Sequence, residues 1–155
     1  MISALDNRMP RTELDSHVNM VCLGRHAIII EYTWKTLDVK PFTLDYNALQ
    51  KVPVVAGAIL TKCTFTGKTL IFILHNALSV PAMDHNLVPP FILRELGLIV
   101  NDTPKIHVED PSMEDHTIFF PNYDVQIPLS LNGISLAFLH QSLQYTTWKS
   151  VRIFS

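Results

Sequence analysis

The sequence predicts a mostly β fold with one short helix, and three observations carry that expectation. Apolar, β-branched residues come in short runs bounded by turn-forming residues. Ten prolines against five glycines punctuate the 155-residue chain, and proline breaks a helix interior by removing a donor and clashing with the preceding turn. Only one stretch combines helical spacing with start and stop signals.

Taken in order, the first strand ends near Leu14, where ELDSHVNMVCLG (residues 13–24) sets an acid at the edge of an apolar segment. Residues 26–32 are short and β-branched and read as a strand, as do 52–55 and 58–65. Thr66-Gly67 suits a tight hairpin turn, after which 69–74 returns as a strand and 77–80 forms another, stopped by Pro81. The helix is expected over 89–97. Pro89 and Pro90 suit its first turn, Phe91, Leu93 and Leu96 share an inward arc with Ile92, and Gly97 supplies the stop. Residues 98–100 resume as a strand. Beyond Asp102 four prolines arrive in quick order around the acidic stretch HVEDPSMEDH, so 105–155 reads as strands and loops, with 136–143 its last helix-compatible piece.

This gives an N-terminal arm over 1–11, a domain over 12–102 and a C-terminal extension over 103–155. Apolar residues make up 48% and charged residues 17%, a composition that folds and that suits a surface partly covered by a partner. A net charge of −2 with scattered Lys and Arg offers no footprint for nucleic acid. Cys22 and Cys63 make neither a disulfide framework nor a metal-ligand spacing and read as buried thiols. The N-terminus lacks the apolar core of a signal peptide, and no apolar run is long enough for a membrane span. The expectation is an intracellular, cytoplasmic chain with no cofactor and no membrane partner.

Three clusters bear on chemistry. His107, Glu109, Asp110, Glu114, Asp115 and His116 carry metal-ligating atoms, but in no established ligand spacing, so a solvated acidic loop is expected and no metal. Gly67-Lys68-Thr69 ends like a phosphate loop, but Lys62 stands where its upstream glycine belongs. Asp38, Asp45 and Asp84 sit in loop-like surroundings and are expected to be solvated. Asp15 is different, because desolvating a carboxylate is costly unless it is paired or protonated. Asp15-Ser16 is either a strand-end turn capping its own backbone or part of a site.

The second reading gains from NLVPPFILRELGLIVN (residues 86–101) downstream. Leu14-Asp15-Ser16, a later hairpin, and then Asn76-Ala77-Leu78-Ser79-Val80-Pro81, Asn86-Leu87 and the helix through Gly97 together resemble the retroviral-type aspartic proteases. The likeness is to the protease segment of copia-type retrotransposon polyproteins, over roughly residues 12–102. It implies a retropepsin-like closed β-barrel and a homodimer in which two Asp15 carboxylates share a proton. Ser16 then steadies the loop through its hydroxyl. It also implies an endopeptidase acting on a polypeptide substrate, its own polyprotein, with a flap near Ala56, Gly57 and Ala58 closing over the peptide. His17 departs from the family glycine: an imidazole there crowds the dyad, and if protonated upsets proton sharing. A catalytically degenerate dimerisation or peptide-binding module is the alternative the resemblance leaves open, and an unrelated structural β protein is the third.

Overall fold

The computed structural model describes residues 10–40, 49–62, 67, 69–102, 116–122, 125–132, 135–139 and 150–154. Within them the chain is mostly β, and its one helix is six residues long. The strands are β1 (Arg11–Leu14), β2 (Cys22–Leu23), β3 (Ile28–Val39), β4 (Leu49–Lys62), β5 (Thr69–Ser79) and β6 (Asn86–Val88), followed by α1 (Pro90–Glu95) and β7 (Ile99–Asn101). The second half adds β8 (Thr117–Phe120), β9 (Val125–Pro128), β10 (Ser130–Asn132), β11 (Ser135–Leu139) and β12 (Ser150–Phe154).

Nine strands make one sheet in the order β10-β11-β1-β6-β2-β5-β4-β3, with β12 branching onto β5, and β7-β8-β9 make a second. Among the described residues no pairing joins β10 to β3, so the sheet is open and the closed barrel expected from the resemblance is not formed by these pairings. At the centre, β6 runs between β1 and β2. It is parallel to β1, with Thr12↔Asn86 and Leu14↔Val88, and antiparallel to β2 at Cys22↔Leu87. The two legs of the 13–24 loop are thus held apart by a strand from 62 or more residues later, which Asn86 pins. Its fully buried amide accepts from Gly24 N at 2.7 Å and donates to Thr12 Oγ1 at 3.1 Å.

Two expected breaks are absent. Residues 52–55 and 58–62 lie in the single strand β4, which carries a register shift between Val55 and Gly57, and 69–74 with 77–79 lie in the single strand β5. Asn76, at φ 52°, absorbs the irregularity that the sequence offers as a break, a conformation asparagine tolerates better than most residues. Residues 63–66 and 68 of the expected turn lie outside the described residues; Gly67 has φ 72°.

The helix starts at Pro90 and ends as its sequence predicts. Gly97, at φ 84°, donates to Arg94 O at 3.0 Å, and Leu98 N reaches back to Leu93 O at 3.1 Å, the paired bonds of a Schellman stop. The inward arc is narrower than expected. Leu93 is buried and Ile92 and Leu96 half-buried, but Phe91 is exposed, since one short turn offers a single face to the core.

Residues drawn as an extension are built into the same core. β11 pairs antiparallel with β1, β12 parallel with β5, and β8 antiparallel with β7. Phe72 packs against Phe120 and Phe138 at centroid distances of 5.8 and 5.7 Å. The helix-compatible piece at 136–143 is strand through Leu139, because its register against β1 satisfies the backbone of both; 140–143 lie outside the described residues. Of the arm, Arg11 belongs to β1, and 1–9 lie outside the described residues.

Candidate functional site

Asp15 follows β1 directly. Its amide donates to Val88 O at 3.1 Å, so the parallel pairing of β1 with β6 runs up to the acid itself and fixes where its backbone lies. The chain then turns away through Ser16 and His17. The half-buried carboxylate accepts His17 N at Oδ1, 2.8 Å away, and the His17 Nδ1 stands 3.3 Å from the same oxygen. This is an Asx-type turn, the strand-end capping that short polar side chains favour. Ser16 is exposed and bonds no described residue, so the steadying role expected of its hydroxyl is taken by the Asp15 carboxylate and the His17 amide. The imidazole, 71% exposed, lies against Asp15 rather than turned from it.

Beside this loop lies a cavity of about 770 Å³, walled by His17, Val18, Asn19 and Met20 from the loop, Cys22 from β2, Val39, Lys40 and Leu49 from the β3–β4 hairpin, and Leu78, Val80, Met83, His85 and Leu87 beyond. Its lining is largely apolar: Met20, Cys22, Val39, Leu78 and Val80 line it and belong to a cluster with the buried Val52 and Val54. The volume matches a site for a few side chains of a bound molecule. Burial, and secondarily the Asp15 charge, push the Cys22 thiol up from its ordinary pKa. Cys22 is a free thiol, and Cys63 lies outside the described residues.

The wall formed by 80–85 depends on Gly24. A Cβ there would stand 2.6 Å from His85 O and 2.7 Å from Met83 O, and Arg25 N donates to Met83 O at 3.0 Å. Arg25 also pairs with Asp84 across the outside of this turn. Deeper in, Glu13 stands between Arg11 Nε at 2.9 Å and His85 Nε2 at 3.4 Å.

Ala56, Gly57 and Ala58 are brought neither to Asp15 nor to the cavity wall. They are buried in the middle of β4, flanked by β3 and β5, where the absence of a side chain at Gly57 makes room for Leu23. The hairpin that does reach the cavity is β3–β4, through Val39, Lys40 and Leu49. Lys40, Met83 and His85 were not singled out from sequence; they carry no motif, and only the pairing of strands distant in the chain assembles them. Asp38 accepts Lys51 N at 3.0 Å across the hairpin, and Asp45 lies outside the described residues.

Of the acidic stretch, only His116 is described, buried beside β8. No group of three or more His, Cys, Asp or Glu among the described residues is placed to hold a metal ion. No described helix is long and apolar enough to cross a membrane. Comparison of the chain with protein-family models, with curated proteins and with solved structures found no match.

Proposed function

We propose that the chain is one subunit of a retropepsin-like aspartic endopeptidase, with Asp15 as its half of a two-carboxylate site completed by a second copy across a two-fold axis. The observation that carries this reading is the setting of Asp15: a half-buried acid closing β1 where β6 passes between the legs of its loop, next to an apolar cavity. The order of parts around it agrees with the resemblance: acid loop, long hairpin, strand, Asn86-Leu87, short helix and Gly97. In such a pair, one carboxylate draws a proton from a water, and the other, protonated, donates to the scissile carbonyl. The substrate is a polypeptide lying in the cavity, in the first instance the polyprotein that contains this chain. The chemistry calls for no metal or cofactor, because the two carboxylates handle both protons.

A second reading has its own observation. Asp15 Oδ1 is occupied by its own loop, through the His17 amide and imidazole. That favours a degenerate module that dimerises or binds peptide without cleaving it.

Cleavage of a peptide library at mildly acid pH, with and without a statine-type inhibitor, separates the two. The protease reading expects inhibitor-sensitive cleavage, loss of it in Asp15→Asn with the fold kept, and a dimer in sedimentation. Cleavage that survives Asp15→Asn, or that comes from a monomer, overturns it. Equal inertness of both proteins moves the conclusion to the second reading.

A further inference from the structure

We propose that the cavity selects polypeptide segments in which an acidic side chain stands next to a large apolar one, and that His85 is the residue that reads the acid. This deepens the protease reading by naming its substrate class, and as a statement about specificity it rests on that reading.

Charge complementarity points to the occupant. Among the described residues the wall carries Lys40, His17 and His85 and no carboxylate, around an apolar lining. Asp15 and Glu13 each lie against one of the imidazoles, and neither belongs to the wall. An acidic side chain entering such a cavity meets the Lys40 ammonium and, where the imidazoles are protonated, their N–H donors, whereas a lysine would meet like charge at Lys40.

Among these groups His85 is the one built into place. Its Nε2 faces Glu13 Oε2 at 3.4 Å, and Glu13 is itself held by buried Arg11 at 2.9 Å. The backbone beside it is clamped, because its carbonyl and that of Met83 crowd the position of Gly24. Nδ1 bonds no described residue, and in the doubly protonated ring, with Nε2 turned to Glu13, it is the N–H that can donate to a ligand carboxylate. The side chain is 28% exposed, so the ring is open to a ligand while its Nε2 edge rests against Glu13. A ring held at one nitrogen loses little further freedom when the other makes a bond, which is the condition for a specific contact. Lys40 and His17 are exposed, and exposed polar groups contribute attraction but little geometry.

The test uses the whole chain carrying Asp15→Asn, so that binding is read without cleavage. Two short fluorescent peptides are compared, identical except for Glu or Gln beside a central Leu-Phe pair. The expected result is binding of the Glu peptide about tenfold tighter than its Gln twin, a difference of one decade in Kd. With His85→Gln the preference should fall to within about twofold. Nitrogen-15 shifts of the His85 ring should move on adding the Glu peptide and stay still with the Gln peptide, a readout that needs no variant at residue 85. No Glu preference, a preference retained in His85→Gln, or one lost only in Lys40→Gln overturns the assignment. Glu-selective binding by a wild-type chain that cleaves nothing supports the recognition and removes the protease. Cleavage with no Glu preference does the reverse.

Discussion

At the scale of single residues, His17 and Cys22 both report on Asp15. The His17 ring lies 3.3 Å from Oδ1 and its amide at 2.8 Å. A glycine at 17 keeps the amide bond and removes the ring. His17→Gly is therefore expected to raise peptide cleavage, or to leave it unchanged, when the library is assayed at mildly acid pH. Loss of an existing activity would instead mean that the imidazole takes part in the chemistry. Cys22 reads the same carboxylate without any need for catalysis. Its pKa is raised, by burial first and by Asp15 second, so less thiolate is present at a given pH and alkylation is slow. Asp15→Asn removes one of the two causes, so the pKa falls and the thiolate fraction rises. Iodoacetamide labelling at Cys22, followed by peptide-resolved mass spectrometry, should be faster in Asp15→Asn than in the wild-type chain. An unchanged rate would mean that the carboxylate does not act on the thiol.

Among the elements, the β3–β4 hairpin and the 80–85 turn shape the cavity from separate stretches of the chain. β3 is the last strand of its sheet and exposes Ile30, Tyr32, Trp34 and Leu37. Edge strands that display apolar side chains are usually covered or paired in use. The turn is less free: Met83 N bonds Val80 O at 3.0 Å, and Met83 O in turn accepts from Arg25. Because the added carbon of Gly24→Ala meets two backbone oxygens, that variant should lose about 2 kcal/mol in urea unfolding, the scale of overpacking in a core. It should also weaken peptide binding, since Met83 and His85 must move. A stability equal to wild type would show that the turn can yield.

For the molecule as a whole, the second half of the chain completes the first. Phe120 is fully buried against Phe72, and Ile118, Val125 and Ile127 belong to the same cluster as Leu14 and Leu23. Phe120→Ala is therefore expected to cost about 4 kcal/mol by chemical denaturation, as large aromatic truncations in a core do. One cooperative transition should be seen, because β1 takes its outer partner from β11. A chain ending at Asp102 should fail to show that transition. If it unfolds as sharply as the full chain, residues 12–102 hold a core of their own.

What the sequence determined by itself was local. Short β-branched runs and frequent proline meant strands, Pro90 and Gly97 bounded the helix to within a residue or two, and Leu14-Asp15 marked a strand end. Each rests on a backbone preference or a side-chain period that neighbours in the chain express without help. Non-local pairing decided the rest. Asn76 continues a strand because β4 pairs with β5 on either side of it, and Ala56–Gly57–Ala58 are interior because β3 and β5 enclose them. Residues 136–139, compatible with a helix alone, become strand where β1 offers an open edge. The cavity, too, exists only in three dimensions. Its wall draws on residues from His17 to Leu87, and no sequence period links groups that meet solely because β6 threads between β1 and β2.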